Sequence, residues 1–179
     1  MKAKLFLILV FMFILTSVSV YADSVFNHKV SAKYVAENLP AFSDSSCKFT
    51  QEKSMKNNST GEIKLKSGGN FKFEKDKGVN FETLYPVKSV SSYTSSQNKQ
   101  VSSIIKAIAN KNYTYLERNF DIYFQKNNAK VWELALKPKK DNKASAQLKS
   151  ITIKGQRVIE YMVIDTLNSK TSIHYTDCK

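Results

Sequence analysis

Residues 47–93 decide the fold and read CKFTQEKSMKNNSTGEIKLKSGGNFKFEKDKGVNFETLYPVKSVSSY. Apolar and polar residues alternate through the runs GEIKLK, GNFKFEK and GVNFETLYP. Each run lies close to a turn signal: NSTG at 58–61, SGG at 67–69 or DKG at 76–78. Alternation with a period of two between glycine-containing turns predicts an antiparallel meander with one apolar face.

The predicted meander carries large aromatic side chains. By their spacing, Phe71 and Phe73 share one face of a strand, and Val79, Phe81 and Tyr85 share one face of the next strand. A sheet with so large an apolar face must either cover that face or use it for binding.

The rest of the chain predicts helices and more strands. Residues 27–39 suit a helix that ends at Pro40, and residues 112–118 suit another short helix. Between them, four aliphatic residues spaced at i, i+3, i+4 and i+7 form one stripe of an amphipathic helix: Val101, Ile104, Ile105 and Ile108. Further strands are predicted at 119–126, 130–137, 147–154, 156–164 and 170–176. The predicted fold class is therefore mainly antiparallel β with short helices (α+β), and a sheet of about nine or ten strands curls.

The N-terminus has the pattern of a secretory signal peptide. Lys2 and Lys4 precede an apolar run over 5–20, and the small residue Ala22 suits a cleavage site. An N-terminal membrane anchor is the alternative, but the apolar run is a little short for a span. We predict that residues 1–22 are a cleaved signal peptide and that residues 23–179 form one domain.

The chain contains two cysteines, Cys47 and Cys178. In an oxidising compartment an even pair of cysteines indicates a disulfide. The sequence therefore predicts that a disulfide ties the first strand of the meander to the last residues of the chain.

The formal net charge is +13, and nearly all of the positive charge comes from lysine. Arg118 and Arg157 are the two arginines, and the lysines are scattered over strands and turns. We therefore predict no nucleic-acid partner, because recognition of phosphates and bases favours clustered arginines. Weak, transient attraction to an anionic membrane surface is the expectation that we retain.

Catalysis has little support in the sequence. The two histidines are His28, near the predicted mature N-terminus, and His174, in the last predicted strand. His174 and Cys178 are four residues apart, about 13 Å on a strand, which is too far for one metal ion. The sequence has no G-x-S-x-G motif to present a serine and no glycine-rich loop that opens a helix. We therefore predict a protein that is not an enzyme and has no metal and no cofactor.

An ordered series of segments resembles the outer-membrane lipoprotein carrier (LolA-like) family, as a divergent branch. The series begins with FTQEK, SGGNFKF and GVNFETLYP and continues through VSSIIKAI, YLERNFDIYF, KVWELALKPK, LKSITIKG and IEYMVIDTLNSKTSIHY. No single segment is specific, but together they cover roughly the whole mature chain. The resemblance implies an unclosed half-barrel sheet whose mouth is covered by a helical lid, with an apolar cavity for acyl chains between the two.

The resemblance also suggests which residues bind acyl chains. The wall of the expected cavity consists of Phe49, Ile63, Leu65, Phe71, Phe73, Phe81, Tyr85, Trp132, Leu134 and Leu136. The expected lid contributes Ile104, Ile105, Ile108 and Leu116. Taken singly, each of these residues is also suited to an ordinary hydrophobic core.

The chain departs from the best-known carriers at several positions. Those proteins have an Arg-Pro-Gly turn where this chain has KSGG at 66–69, and a tryptophan where Phe81 stands. Their D-G-x-x-x-W-x-Y hairpin is replaced by SSY at 91–93. These differences leave the cargo open between a triacylated lipoprotein and another acylated lipid.

The resemblance implies a monomeric periplasmic carrier that shuttles acylated lipid or lipoprotein cargo from the inner to the outer membrane. Its other partners would be membrane-bound donor and acceptor proteins. One alternative is a lipid-sensing regulatory module that holds a membrane-bound protein partner. A less favoured alternative is a periplasmic hydrolase that uses His174.

Overall fold

The computed structural model describes residues 24–57, 61–91, 96–127 and 130–179. The predicted signal peptide and residues 58–60 of the first predicted turn lie outside these ranges. The helices are α1 (Ala32–Asn38), α2 (Ser96–Ala109) and α3 (Tyr113–Asn119), with short 3₁₀ turns at Val25–Asn27 and Lys143–Ala146. The strands are β1 (Ser45–Asn57), β2 (Gly61–Glu74), β3 (Gly78–Tyr85), β4 (Ser89–Ser91), β5 (Phe120–Asn127), β6 (Val131–Pro138), β7 (Leu148–Gly155), β8 (Ile159–Thr166) and β9 (Ser169–Thr176).

The strands of the described residues form one antiparallel sheet in the order β4-β3-β2-β1-β9-β8-β7-β6-β5. β4 and β5 are its two edges, so the sheet does not close on itself. The three helices cover one face, which we call the inner face; the opposite face is the outer face. The predicted antiparallel half-barrel with short helices is thereby confirmed.

The SGG segment at 67–69 lies inside β2 and is not a turn, so the prediction of two strands here is wrong. β1 pairs with β2 without a break from Ser45 opposite Phe73 to Asn57 opposite Gly61. A Cβ atom at Gly69 would collide with the carbonyl oxygen of Glu82 in β3. The glycine therefore permits a close approach of two backbones rather than a reversal of the chain.

A β-bulge in β3 corrects a second prediction. Gly69 pairs with Thr83 and Gly68 pairs with Tyr85, so Leu84 is one extra residue in β3. The extra residue turns Tyr85 to the outer face, where its ring lies over Gly68. Tyr85 therefore does not share a face with Val79 and Phe81, and its side chain does not line the inner face.

The N-terminal helix is shorter than predicted. α1 begins only after Ser31, whose hydroxyl accepts a hydrogen bond of 3.2 Å from the Tyr34 N–H. Upstream, the Val30 N–H donates to the carbonyl of Ile122 in β5 (2.9 Å). This segment is extended because it pairs with the edge of the sheet, which a helix at 27–31 could not do.

Cys47 and Cys178 form a disulfide, as predicted. Cys47 lies near the start of β1, and Cys178 follows the end of β9. Two backbone hydrogen bonds between Ser46 and Lys179 extend the pairing beyond the disulfide. The last residues of the chain are therefore held against the middle of the sheet.

Candidate functional site

The inner face combines a covered region and an exposed region. The predicted wall and lid residues that are buried in the core are Phe49, Phe71, Phe73, Ile104, Ile105, Ile108, Leu116, Trp132, Leu134 and Leu136. Phe81 is partly buried against them. By contrast Ile63 is 36% exposed and Leu65 is 51% exposed, although both follow the same alternation along β2 as Phe71. The structure thus brings most of the predicted residues together between sheet and helices and leaves three of them outside: Ile63, Leu65 and Tyr85, which lies on the outer face.

Four rings form an aromatic cluster at the middle of the inner face. The ring of Phe81 lies 5.3 Å from that of Phe49 and 5.0 Å from that of Phe71, measured between centroids. Phe71 also lies 4.6 Å from Tyr175 of β9. We use "aromatic cluster" for these four residues, Phe49, Phe71, Phe81 and Tyr175. Phe81 is the member nearest to solvent, since the other three are buried.

Trp132 lies apart from this cluster. Its indole N–H donates to the carbonyl of Gln156 (2.7 Å), and its ring packs edge-on against Phe42 at 5.4 Å. Leu134 and Leu136 follow on the same face of β6, opposite Ile153 and Ile151 of β7. These three predicted wall residues form a packed core between sheet and helices.

Tyr175 was not predicted from the sequence. Its side chain is 5% exposed, and its hydroxyl has no hydrogen-bond partner in the described part of the chain. Burial raises the pKa of this phenol above its ordinary value, because the anion would lose its hydration. A buried hydroxyl without a partner costs roughly 1–3 kcal/mol. The alternation of β9 indicates the face of Tyr175, but its place opposite Phe49 depends on a long-range strand pairing.

Helix α2 is fixed to β3 through one buried polar contact as well as through its isoleucines. The Ser102 hydroxyl accepts a hydrogen bond of 3.1 Å from the Val79 N–H. Gly78, just before, has φ of +109°, and a Cβ atom there would collide with the Ser102 hydroxyl. Glycine at this position therefore allows both the turn into β3 and the close contact with the helix.

Little space separates the sheet from the lid in this structure. A cavity of about 10 Å³ lies between Phe71, Phe73 and Ile105, close to the smallest volume that holds a single water molecule. A larger depression of about 670 Å³ lies on the polar outer face and is lined by residues such as Lys48, Asn70 and Asp177. Another of about 550 Å³ lies next to the end of α1 and is lined by residues such as Leu39, Lys126 and Trp132. An acyl chain could enter the covered region of the inner face only if α2 moves away from the sheet.

The exposed region continues around the end of the sheet. Every residue over 84–90 is exposed. We use "open corner" for the exposed apolar side chains of β2 and of residues 84–90, which lie on both faces of the sheet: Ile63, Leu65, Leu84, Tyr85, Val87 and Val90. Lys64 and Lys66 alternate with the two aliphatic residues of β2, and their ammonium groups lie 3.7 and 3.8 Å from Glu52 carboxylate oxygens. The open corner is therefore apolar with a basic border.

His174 lies apart from the aromatic cluster, and the described residues form no metal site. His174 points to the outer face, where its ring lies 4.4 Å from that of Tyr161. Among the described residues no group of three or more His, Cys, Asp or Glu side chains could hold a metal ion. None of the described helices combines the length and apolar character that a membrane span needs.

Comparisons with known proteins give distant structural likenesses. No protein-family model and no curated protein matches the sequence. A DUF1329 family protein from Desulfovibrio piger is similar in structure over 83% of this chain and 90% of its own, with a TM-score of 0.33 and 10% identity. An outer membrane lipoprotein-sorting protein domain from Vibrio parahaemolyticus is similar over 87% of this chain and 93% of its own, with a TM-score of 0.31 and 10% identity.

Proposed function

We propose that this protein is a periplasmic carrier that binds the acyl chains of lipoproteins or other acylated lipids and shuttles them from the inner to the outer membrane. The observation that carries the proposal is the aromatic cluster on the inner face of an unclosed sheet, covered by a short amphipathic helix. A surface of this kind suits long apolar chains, because their burial requires no directed hydrogen bond.

The geometry supports a path between the open corner and the aromatic cluster. On the inner face, β2 contributes Leu65, Ser67, Gly69 and Phe71 in this order. These residues span roughly 20 Å, because a strand rises about 3.3 Å per residue. Ser67 has a small side chain and Gly69 has none, so few side-chain atoms of β2 stand above this stretch. Each methylene buried there contributes about 0.8 kcal/mol, so a chain lying along the path binds well.

In the proposed cycle α2 opens, acyl chains occupy the inner face, and an acceptor of higher affinity removes them. Membrane-bound donor and acceptor proteins would supply and receive the cargo, and the carrier itself would act as a monomer. The basic border of the open corner, which includes Lys64, Lys66 and Lys88, favours transient contact with anionic headgroups during transfer.

The test is a charged substitution in the aromatic cluster. Phe81→Glu places a carboxylate at the partly buried member, where it can stay hydrated once α2 is open. We expect a folded protein that binds a fluorescent fatty-acyl probe at least ten-fold more weakly than the wild type. Leu167→Glu, at an exposed leucine of the β8–β9 turn, is the matched control and should bind normally.

Two results would contradict the proposal. A Phe81→Glu variant that folds and binds the probe with wild-type affinity would remove the aromatic cluster from the site. A wild-type protein purified from the periplasm without any acylated lipid, and unable to take up the probe, would remove the carrier function itself. Mass spectrometry of co-purifying lipids shows whether the wild-type protein carries acylated lipid and identifies the cargo.

The open corner also suits a lipid-sensing module with a stable protein partner, because exposed aliphatic residues such as Val87 and Val90 are typical of interfaces. A sensor would co-purify with a membrane protein at a fixed ratio. A carrier would exchange its partners and remain monomeric in gel filtration.

A further inference from the structure

We infer that the hydroxyl of Tyr175 receives the carbonyl oxygen that joins an acyl chain to its headgroup, so that the cargo is an acyl ester or amide. The inference rests on the proposed function and deepens it, because it adds one directed contact to an otherwise apolar site.

The position of Tyr175 is the first argument. β9 is the central strand of the nine described, with four strands on each side. Tyr175 pairs with Phe49 of β1, and its ring lies tilted against that of Phe71 with 4.6 Å between centroids. It is therefore surrounded by the rings to which we assign acyl binding.

The missing hydrogen bond is the second argument. Within the described residues two buried side-chain atoms have no hydrogen-bond partner, the Tyr175 hydroxyl and the Asn80 side-chain oxygen. Asn80 is opposite Lys72 on the outer face and is only partly buried, whereas Tyr175 is 5% exposed on the inner face. Buried polar groups in native proteins nearly always have partners, so an exception calls for a ligand or a function.

The chemistry of the group indicates what it binds. A neutral phenol donates one hydrogen bond and accepts others. A phenol is protonated at neutral pH in any case, and desolvation raises the pKa of this one further above its ordinary value. The complementary partner is a good acceptor on an apolar ligand, and the ester or amide carbonyl of an acylated lipid has that character. An ether-linked or purely hydrocarbon chain lacks it.

Access to the hydroxyl requires the same opening that the carrier cycle requires. Tyr175 touches Phe71, Phe71 touches Phe81, and Phe81 is the cluster residue nearest to solvent. Movement of α2 and of the Phe81 ring would open a route by which the carbonyl group of a lipid reaches the Tyr175 hydroxyl.

The test compares two probes that differ only at the linkage: a fluorescent diacylglycerol with ester bonds and its dialkyl ether analogue. We expect the wild type to bind the ester about ten-fold more tightly. Tyr175→Phe should bind both probes alike, at the wild-type affinity for the ether, and should keep or raise the melting temperature. Tyr113→Phe, which alters another buried tyrosine outside the aromatic cluster, should keep the preference.

The outcomes separate the two proposals. If Tyr175→Phe retains the full ester preference, or if the wild type binds ester and ether equally, the role of Tyr175 is overturned while the carrier function stands. If the wild type binds neither probe, the carrier function falls and this inference falls with it. A ratio of two affinities is insensitive to a modest loss of folded protein, so a merely structural role of Tyr175 would leave it unchanged.

Discussion

The two ends of β2 have the same sequence pattern and opposite surroundings. At one end Phe71 and Phe73 are 2% and 3% exposed beneath α2; at the other end Ile63 and Leu65 are 36% and 51% exposed. Both pairs alternate with lysines or other polar residues on a single continuous strand. The comparison teaches that alternation determines which face a side chain joins, whereas the elements packed above that face determine whether it is core or binding surface.

The largest expected effect comes from placing one charge at each end of β2. Phe73→Glu buries a carboxylate without a partner, and the free energy of unfolding should fall by several kcal/mol, enough to prevent folding of a domain of ordinary stability. Leu65→Glu changes an exposed position and should alter stability by about 0.5 kcal/mol or less. Urea denaturation followed by tryptophan fluorescence measures both, and equal losses would show that the two ends are one core.

The disulfide should stabilise the covered end of the sheet. In the chain-entropy model, a loop with a sequence separation of 131 contributes about 4–5 kcal/mol, and measured contributions are often lower. The double variant Cys47→Ala/Cys178→Ala should therefore unfold at markedly lower urea and still bind the acyl probe when folded. Reduced wild-type protein is the control, and an unchanged urea midpoint in both would contradict this account.

A pair of glycine substitutions tests how α2 is held. Gly78→Ala and Gly61→Ala both put alanine where φ is positive, at +109° and +83°, which costs roughly 1–3 kcal/mol of strain in each. Only at Gly78 does the new methyl group collide with Ser102 of α2. Amide hydrogen exchange of 104–109 should be about ten-fold faster in Gly78→Ala and close to wild type in Gly61→Ala. Similar exchange in both variants would mean that the contact with Ser102 does not hold the helix.

The smallest effect concerns alkaline pH. Burial raises the pKa of Tyr175 above its ordinary value of 10.0, whereas the unfolded chain has a tyrosine pKa near 10. The neutral phenol therefore contributes its full stability below pH 10, and that contribution declines as the pH rises above 10. The melting temperature of Tyr175→Phe should fall less steeply than that of the wild type between about pH 10 and 11. If the variant and the wild type lose stability in parallel, other groups dominate this range.

Elements that are specified by a local sequence pattern could be predicted. The stripe of isoleucines indicated α2, and the strand predicted at 119–126 corresponds to β5 at Phe120–Asn127. The chain between Gly61 and Tyr85 was harder, because the SGG segment serves a close contact between β2 and β3 and because Leu84 forms a bulge. Neither effect has a local signal, since both arise from the pairing of the strands. Tyr175 was missed for the same reason: its neighbours come from β1 and β2.

The adjacency of β1 and β9 has a consequence for the order in which the sheet can form. β1 to β4 can pair as soon as they have been synthesised, but the second edge of β1 has no partner until β9 is available. β1 carries Phe49 and Met55, and its unpaired edge attracts other extended chains during this interval. The chain is therefore most prone to aggregation before β9 pairs with β1, and a chaperone that shields this edge should raise the yield of folded protein.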